Sequence, residues 1–149
     1  MAKPEKTPRQ VWMAVLARAE RAAIERCLAG APPLPPHTML RGPDVGLVMA
    51  RGRAGGGGAA FHFGEMTVTR CSVRAGGQIG HAFIAGRDGA KAELAARLDA
   101  ALQDEATGAL LYSLVIEPLQ TLESQRREAL AARAAATRVE FFTLATMRS

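Results

Sequence analysis

Apolar and polar positions follow different rhythms in successive parts of the chain. In TPRQVWMAVLARAERAAIERCLAG, residues 7 to 30, Val11, Val15, Ile24 and Leu28 recur near helical spacing. Thr7 is placed to cap that helix, Pro8 to occupy its first position, where the missing N–H costs nothing, and Gly30 to close it. The stretch APPLPPHTML cannot continue it, because its four prolines remove backbone donors and hold extended geometry, so a rigid connector is predicted. From Val45 to Arg53, VGLVMARGR reads as a strand and the following AGGGG as a flexible turn. AFHF leads into a second strand, EMTVTRCSVRA, and Gly76-Gly77 is a two-residue hairpin signal before a third, QIGHAFIAG.

A Gly76-Gly77 loop sets the register of that hairpin. Arg70 then faces Phe83, Ser72 faces His81 and Arg74 faces Ile79. Because strand side chains alternate, Arg70, Ser72, Arg74 and His81 share one face of the sheet. Thr69, Cys71, Val73, Ala82 and Ile84 share the other, the more apolar one, which is expected to meet the helices.

Beyond the hairpin, GRDGAKAELAARLDAALQDEA predicts a helix capped by Asp88, with Leu94, Leu98, Ala101 and Leu102 as its buried stripe and Gly108 at its end. A further helix is predicted from Pro118, with Leu119, Leu122, Ala129 and Leu130 on its buried side and its arginines in solvent. The β-type residues of RVEFFTLATM predict a last strand. The order helix, three strands, two helices, strand is an α+β pattern, a mostly antiparallel sheet with helices packed on one face. Residues 1 to 8 are expected to be a disordered tail and 9 to 149 a single domain.

Charge sharpens this picture. The net charge of +5 comes from 19 basic and 14 acidic residues, and most of the basic ones are arginine, whose planar fork fits phosphates and carboxylates. An anionic ligand, a nucleic acid or an acidic partner protein would all suit it. Arginine, alanine and glycine also rise together in a GC-rich genome, so composition alone does not choose. Cys27 and Cys71 are far apart and outside any metal-ligand spacing, as expected of free thiols in a reducing compartment. The N-terminus lacks the apolar stretch of a signal peptide, and no run approaches the ~18 apolar residues of a membrane span, so a cytoplasmic protein without membrane contact is expected.

The residues that could do chemistry are few. His37, His62 and His81 have neither a histidine four residues on nor a carboxylate companion of a metal helix, so no metal site is expected. Ser72 opposite His81 lacks an identifiable orienting carboxylate and oxyanion hole. Glu65 and Asp88 could be an acid–base pair, but pairing with neighbouring arginines is the simpler account. The glycine run at 55 to 58 lacks the Lys-Ser/Thr ending of a phosphate-binding loop. Arg70 and Arg74, with Arg87 and His81 nearby, make the best candidate site, since spaced guanidinium groups can hold a phosphate, a phosphonate or a partner's acidic patch. Salt bridges within the chain are the alternative.

Several consecutive strings carry a family resemblance: RQVWMAVLARA, GLVMARGRAGGGG, FHFGEMTVTRCSVR, GHAFIAGRD, AELAARLDAAL and TRVEFFTLA. In this order and spacing they resemble the PhnG family, a component of the bacterial carbon-phosphorus lyase core complex, over roughly residues 9 to 147. The family-like pattern lands on Gly64, Glu65, Thr69, Arg70, Arg74, Gly80, His81, Gly86, Arg87 and Asp88, and on Arg138, Val139, Phe141 and Phe142. The resemblance implies a part in phosphonate catabolism, in which ATP and methylphosphonate give α-D-ribose 1-methylphosphonate 5-triphosphate and adenine. It implies an accessory subunit of that transferase or lyase system with no catalytic residues of its own, no cofactor and no independent activity. It also implies protein partners, subunit I as the main contact with subunits H, J and K in the assembly; contact of Arg70, Arg74 or Arg87 with phosphate groups of ATP or methylphosphonate is a further expectation drawn from the arginine face itself. The competing reading is a stand-alone basic domain that binds nucleic acid or a phosphate ligand, although that face lacks stacking aromatics apart from Phe83.

Overall fold

The computed structural model describes residues 5 to 53 and 58 to 137. Helix α1, Pro8–Arg18, opens with a reciprocal cap: the Thr7 hydroxyl accepts from the Gln10 N–H while the Gln10 side chain accepts from the Thr7 N–H. The predicted single helix is in fact two. Ala19 and Glu20 are extended, and α2, Arg21–Leu28, follows. At 3.6 residues per turn an unbroken helix would swing Ile24 about 80° away from Leu16. The break lets both reach the core, where they are 0% and 1% exposed. Gly30 lies beyond the end of α2, whose cap position is Ala29.

Three strands follow, β1 (His37–Gly52), β2 (Phe61–Ala75) and β3 (Gln78–Ala85), forming an antiparallel sheet in the order β1-β2-β3. The hairpin register is as read from the sequence: Arg70 opposite Phe83, Ser72 opposite His81, Arg74 opposite Ile79. Gly76 and Gly77 have φ of 57° and 82°, the left-handed conformation that such a two-residue turn requires. Strand β1 begins at His37, well before the expected Val45. Its first half was hidden by Gly42-Pro43 and by register shifts between Met39 and Arg41 and between Arg41 and Asp44. An edge strand tolerates both, because one side of its backbone needs no ladder partner.

Helix α3, Gly89–Leu102, starts where the Asp88 carboxylate accepts the Lys91 N–H and lies across β3 and β2. Leu98, Ala101 and Leu102 are buried as expected, and Leu94 packs partly buried against the core. The helix layer approaches the sheet closely. A Cβ on Gly80 would lie 1.9 Å from the Ala96 carbonyl oxygen, so β3 and α3 meet backbone to backbone. Thr69, Cys71, Val73, Ala82 and Ile84 point into that interface and are all buried, meeting Val15, Leu16, Ile24 and Leu98. The fold is thus α+β with the helices on one face of the sheet, as the alternation predicted.

Two expectations about the C-terminal helices need correction. Gly108 does not end α3 but begins the next helical run: α4 (Gly108–Leu111), a π-helical turn (Tyr112–Ile116) and α5 (Glu117–Ala136). Its missing side chain permits close contact, since a Cβ there would lie 2.5 Å from the Leu102 carbonyl oxygen. Pro118 falls inside this run, directly after the π turn, whose wider spacing suits a residue that cannot supply an ordinary helical N–H. In α5, Leu119 is buried, but Leu122 and Leu130 are 46% and 57% exposed and Ala129 is exposed too, so the expected apolar stripe is covered only at its start. The predicted strand in RVEFFTLATM lies outside the described residues.

Candidate functional site

Alternation along three strands arranges the sheet face opposite the helices into rows. Thr38, Arg74 and Ile79 form one, Arg41, Ser72 and His81 the next, and Asp44, Arg70 and Phe83 a third. The two register shifts in β1 are what bring Arg41 and Asp44 into these rows, because each advances the strand by an extra residue. Arg74, Ile79, His81 and Phe83 are exposed, while Val68 in the middle strand is buried. No described helix covers this face.

The arginines on it are not spent on internal ion pairs, apart from Arg41, which binds Asp44. Among the described residues Arg70, Arg74 and Arg87 have no carboxylate within 4.0 Å. Arg70 lies across Gly46: a Cβ there would sit 4.0 Å from its Nη2, and its buried Nε has no hydrogen-bond partner. Arg87 is outside the rows. Gly86 N–H still donates to the Thr67 carbonyl at 2.9 Å, and Arg87 then leaves the sheet in an exposed bend ahead of the α3 cap.

Ser72 Oγ and His81 Nδ1 are 2.8 Å apart. Among the described residues no carboxylate hydrogen-bonds that imidazole, so the pair has no orienting acid of the kind a nucleophilic triad uses. The other sequence candidates are dispersed. His37 Nε2 meets Glu93 Oε1 at 3.1 Å, His62 is exposed on the β1–β2 ribbon, and Glu65 faces Met49 there. Asp88 is engaged as the α3 cap, with Arg21 at 3.8 Å. Burial, then the nearby Glu93 and Asp44 carboxylates, push the Cys71 thiol up, holding it in its unreactive protonated form. No cluster of three or more His, Cys, Asp or Glu that could hold a metal occurs among the described residues.

The residue that sequence reasoning missed is Asp99. Its carboxylate is fully buried and accepts from Arg9 Nε and Nη2 at 3.2 and 2.7 Å, from Trp12 Nε1 at 2.8 Å and from the His81 backbone N–H at 2.9 Å. Arg9 and Gln103 also donate to the Ile79 carbonyl. This side-chain set fastens the outer edge of β3 to α1 and α3, and it orients the backbone from which His81 and Ile79 project. The available signal was a charged residue inside the alanine and leucine stripe of AARLDAAL.

Fold and face together define a small α+β domain with one sheet face left open and positively charged. A family model described as phosphonate metabolism protein PhnG matches residues 7–147. The Rhizobium meliloti (strain 1021) protein named alpha-D-ribose 1-methylphosphonate 5-triphosphate synthase subunit PhnG is 40% identical over 137 residues, covering 91% of this chain and 87% of that protein. The chain belongs to the PhnG family, as the ordered strings of its sequence indicated. No helix among the described residues is long and apolar enough to cross a membrane.

Proposed function

We propose that this chain is an accessory, noncatalytic subunit of a cytoplasmic phosphonate-activating synthase, the system that forms α-D-ribose 1-methylphosphonate 5-triphosphate and adenine from ATP and methylphosphonate. It is held mainly by subunit I, in an assembly with subunits H, J and K. Its open sheet face supplies positive charge to an anionic group, with Arg70, Arg74 and Arg87 the contacting residues and His81 beside them. Support comes from the relative's name, which describes a synthase subunit. The observation that carries the reading is that Arg70 and Arg74 stand on an uncovered face without a carboxylate partner among the described residues. Guanidinium groups in that state are available for phosphate oxygens or for a partner's acidic side chains.

The test is Arg70→Gln together with Arg74→Gln. Co-purification with subunits H, I and J is measured first, then ATP and methylphosphonate affinity of the assembled particle. Retained assembly with at least tenfold weaker ligand binding is expected. Collapse of assembly assigns these arginines to an interface and overturns substrate contact, whereas unchanged assembly and unchanged affinity remove any role for the face.

A further inference from the structure

Strand β3 is an outer strand of the sheet, and its free edge is only half protected. Gly86 N–H still donates to the Thr67 carbonyl, which fixes the alternation of the ladder. Gly80, Ala82 and Ile84 therefore turn their backbone groups toward β2, while Ile79, His81, Phe83 and Ala85 turn theirs outward. Side chains cap the start of that outward row: Arg9 and Gln103 donate to the Ile79 carbonyl, and Asp99 accepts the His81 N–H. The row then goes bare. Among the described residues the His81 carbonyl, both backbone groups of Phe83 and the Ala85 N–H have no hydrogen-bond partner.

Beside the bare part lies a groove of about 240 Å³ between β3 and α1. Ala14, Ala17, Ala82 and Ala95 keep it open, because none carries more than a methyl group, and the buried Leu16 and Ile84 form its apolar floor. An unpaired edge is a template for extended backbone. A segment of about five residues, running in either direction, satisfies all four groups, and its alternate side chains point into the groove. The fold limits its extent: Asp99 and Arg9 stop it at His81, and Gly86, at φ 91°, turns the chain away after Ala85.

Charge narrows the occupant. Arg9 stands at one end of the row. At the other, Lys91 Nζ donates to the Ala17 carbonyl at 2.8 Å, and exposed Arg87 follows β3. The nearby acids are already engaged, Asp99 by Arg9 and Trp12 and Asp88 by the α3 cap. A second copy suits the edge poorly. Two-fold pairing centred on Phe83 would set Arg87 of one copy against Ile79 of the other, whose carbonyl holds Arg9, bringing like charges together.

We infer that the β3 edge at residues 81 to 85 is a strand-addition site: an extended apolar segment of another subunit of the synthase, with Asp or Glu at its ends, pairs there as a fourth strand. The inference rests on the subunit reading above and adds to it the backbone surface used and the chemistry of what it receives.

The experiment measures amide hydrogen exchange of the full chain, alone and co-purified with subunits H, I and J, beside binding of those subunits by three variants. Phe83→Pro deletes one outward N–H and spares the β2 ladder, Phe83→Ala removes the same side chain but keeps the N–H, and Ala14→Leu fills the groove without touching β3. The Phe83 and Ala85 amides are expected to exchange freely in the isolated chain and at least tenfold more slowly in the assembly. Phe83→Pro and Ala14→Leu are expected to bind the partner subunits at least tenfold more weakly than Phe83→Ala, with Ala14→Leu keeping the wild-type melting midpoint. Protection of these amides in the isolated chain overturns the inference: in a monomer it assigns the edge to another segment of this chain, in a dimer by light scattering to a second copy. If the subunits bind while the amides exchange as in the free chain, strand addition is refuted and the subunit reading stands. If wild type binds none of the subunits, the subunit reading fails and this inference with it.

Discussion

Asp99→Ala takes from the interior a carboxylate that ties α1, β3 and α3 together. The substitution leaves the Trp12 indole N–H and the His81 backbone N–H without their acceptor, each costing about 1–3 kcal/mol where water cannot replace it. Arg9 suffers less, because its side chain is 39% exposed and can turn to solvent. The total, about 3–5 kcal/mol, agrees with the usual cost of breaking a buried charged pair. Against a typical stability of about 5–15 kcal/mol this is a large fraction, and it should lower the melting midpoint by roughly 10 °C for a domain of this size. Urea unfolding followed by circular dichroism measures it. Arg9→Met is the companion, since it strands the buried carboxylate with neutral donors only. In the double variant the two losses should overlap by about 1–3 kcal/mol, because both remove the same interaction. A loss below about 1 kcal/mol for Asp99→Ala, or strict additivity with Arg9→Met, would refute the claim that this node holds the edge of β3.

Two further outcomes follow from packing and charge. Gly80→Ala should destabilise by about 3 kcal/mol or more, since its methyl would collide with the backbone at Ala96 and Ala100, which cannot swing aside as a side chain can. Gly46→Ala, whose nearest neighbour would be the flexible end of Arg70 at 4.0 Å, should be nearly neutral in the same denaturation assay, and equal losses would contradict the backbone-contact explanation. Hydrogen bonding from Arg18, outweighing the opposing effect of burial and assisted by Arg127, holds the Glu123 carboxyl below its usual range. Its stabilising contribution is therefore fully present above the unfolded value of about 4.5 and disappears as pH falls through the lower folded value. Stability measured against pH should show Glu123→Gln weaker than wild type at neutral pH and the two converging in acid; parallel curves would mean that the link from α5 to α1 contributes nothing.

Local chemistry determined much of this protein in advance. A diglycine turn and period-two alternation were enough to place Arg70, Ser72, Arg74 and His81 on one face and to send Thr69, Cys71, Val73, Ala82 and Ile84 inward, because register and facing depend only on residues near the turn. Thr7, Pro8 and Asp88 marked helix starts because caps act within a single turn. The ordered strings carried the family. Tertiary structure decided the rest. Nothing in ARAER breaks a helix locally; the bend at Ala19–Glu20 follows from the need to face both Leu16 and Ile24 to one core. Gly108 and Pro118 resembled punctuation, yet one serves a close backbone contact with Leu102 and the other rides just after a π turn, roles that the residue type alone does not announce. The bulges that add Arg41 and Asp44 to the open face depend on how β1 pairs with β2. Asp99 became the anchor of that face only because folding brought Arg9, Trp12 and His81 to one buried carboxylate, a convergence of donors from two other elements that spacing within a single helix does not encode.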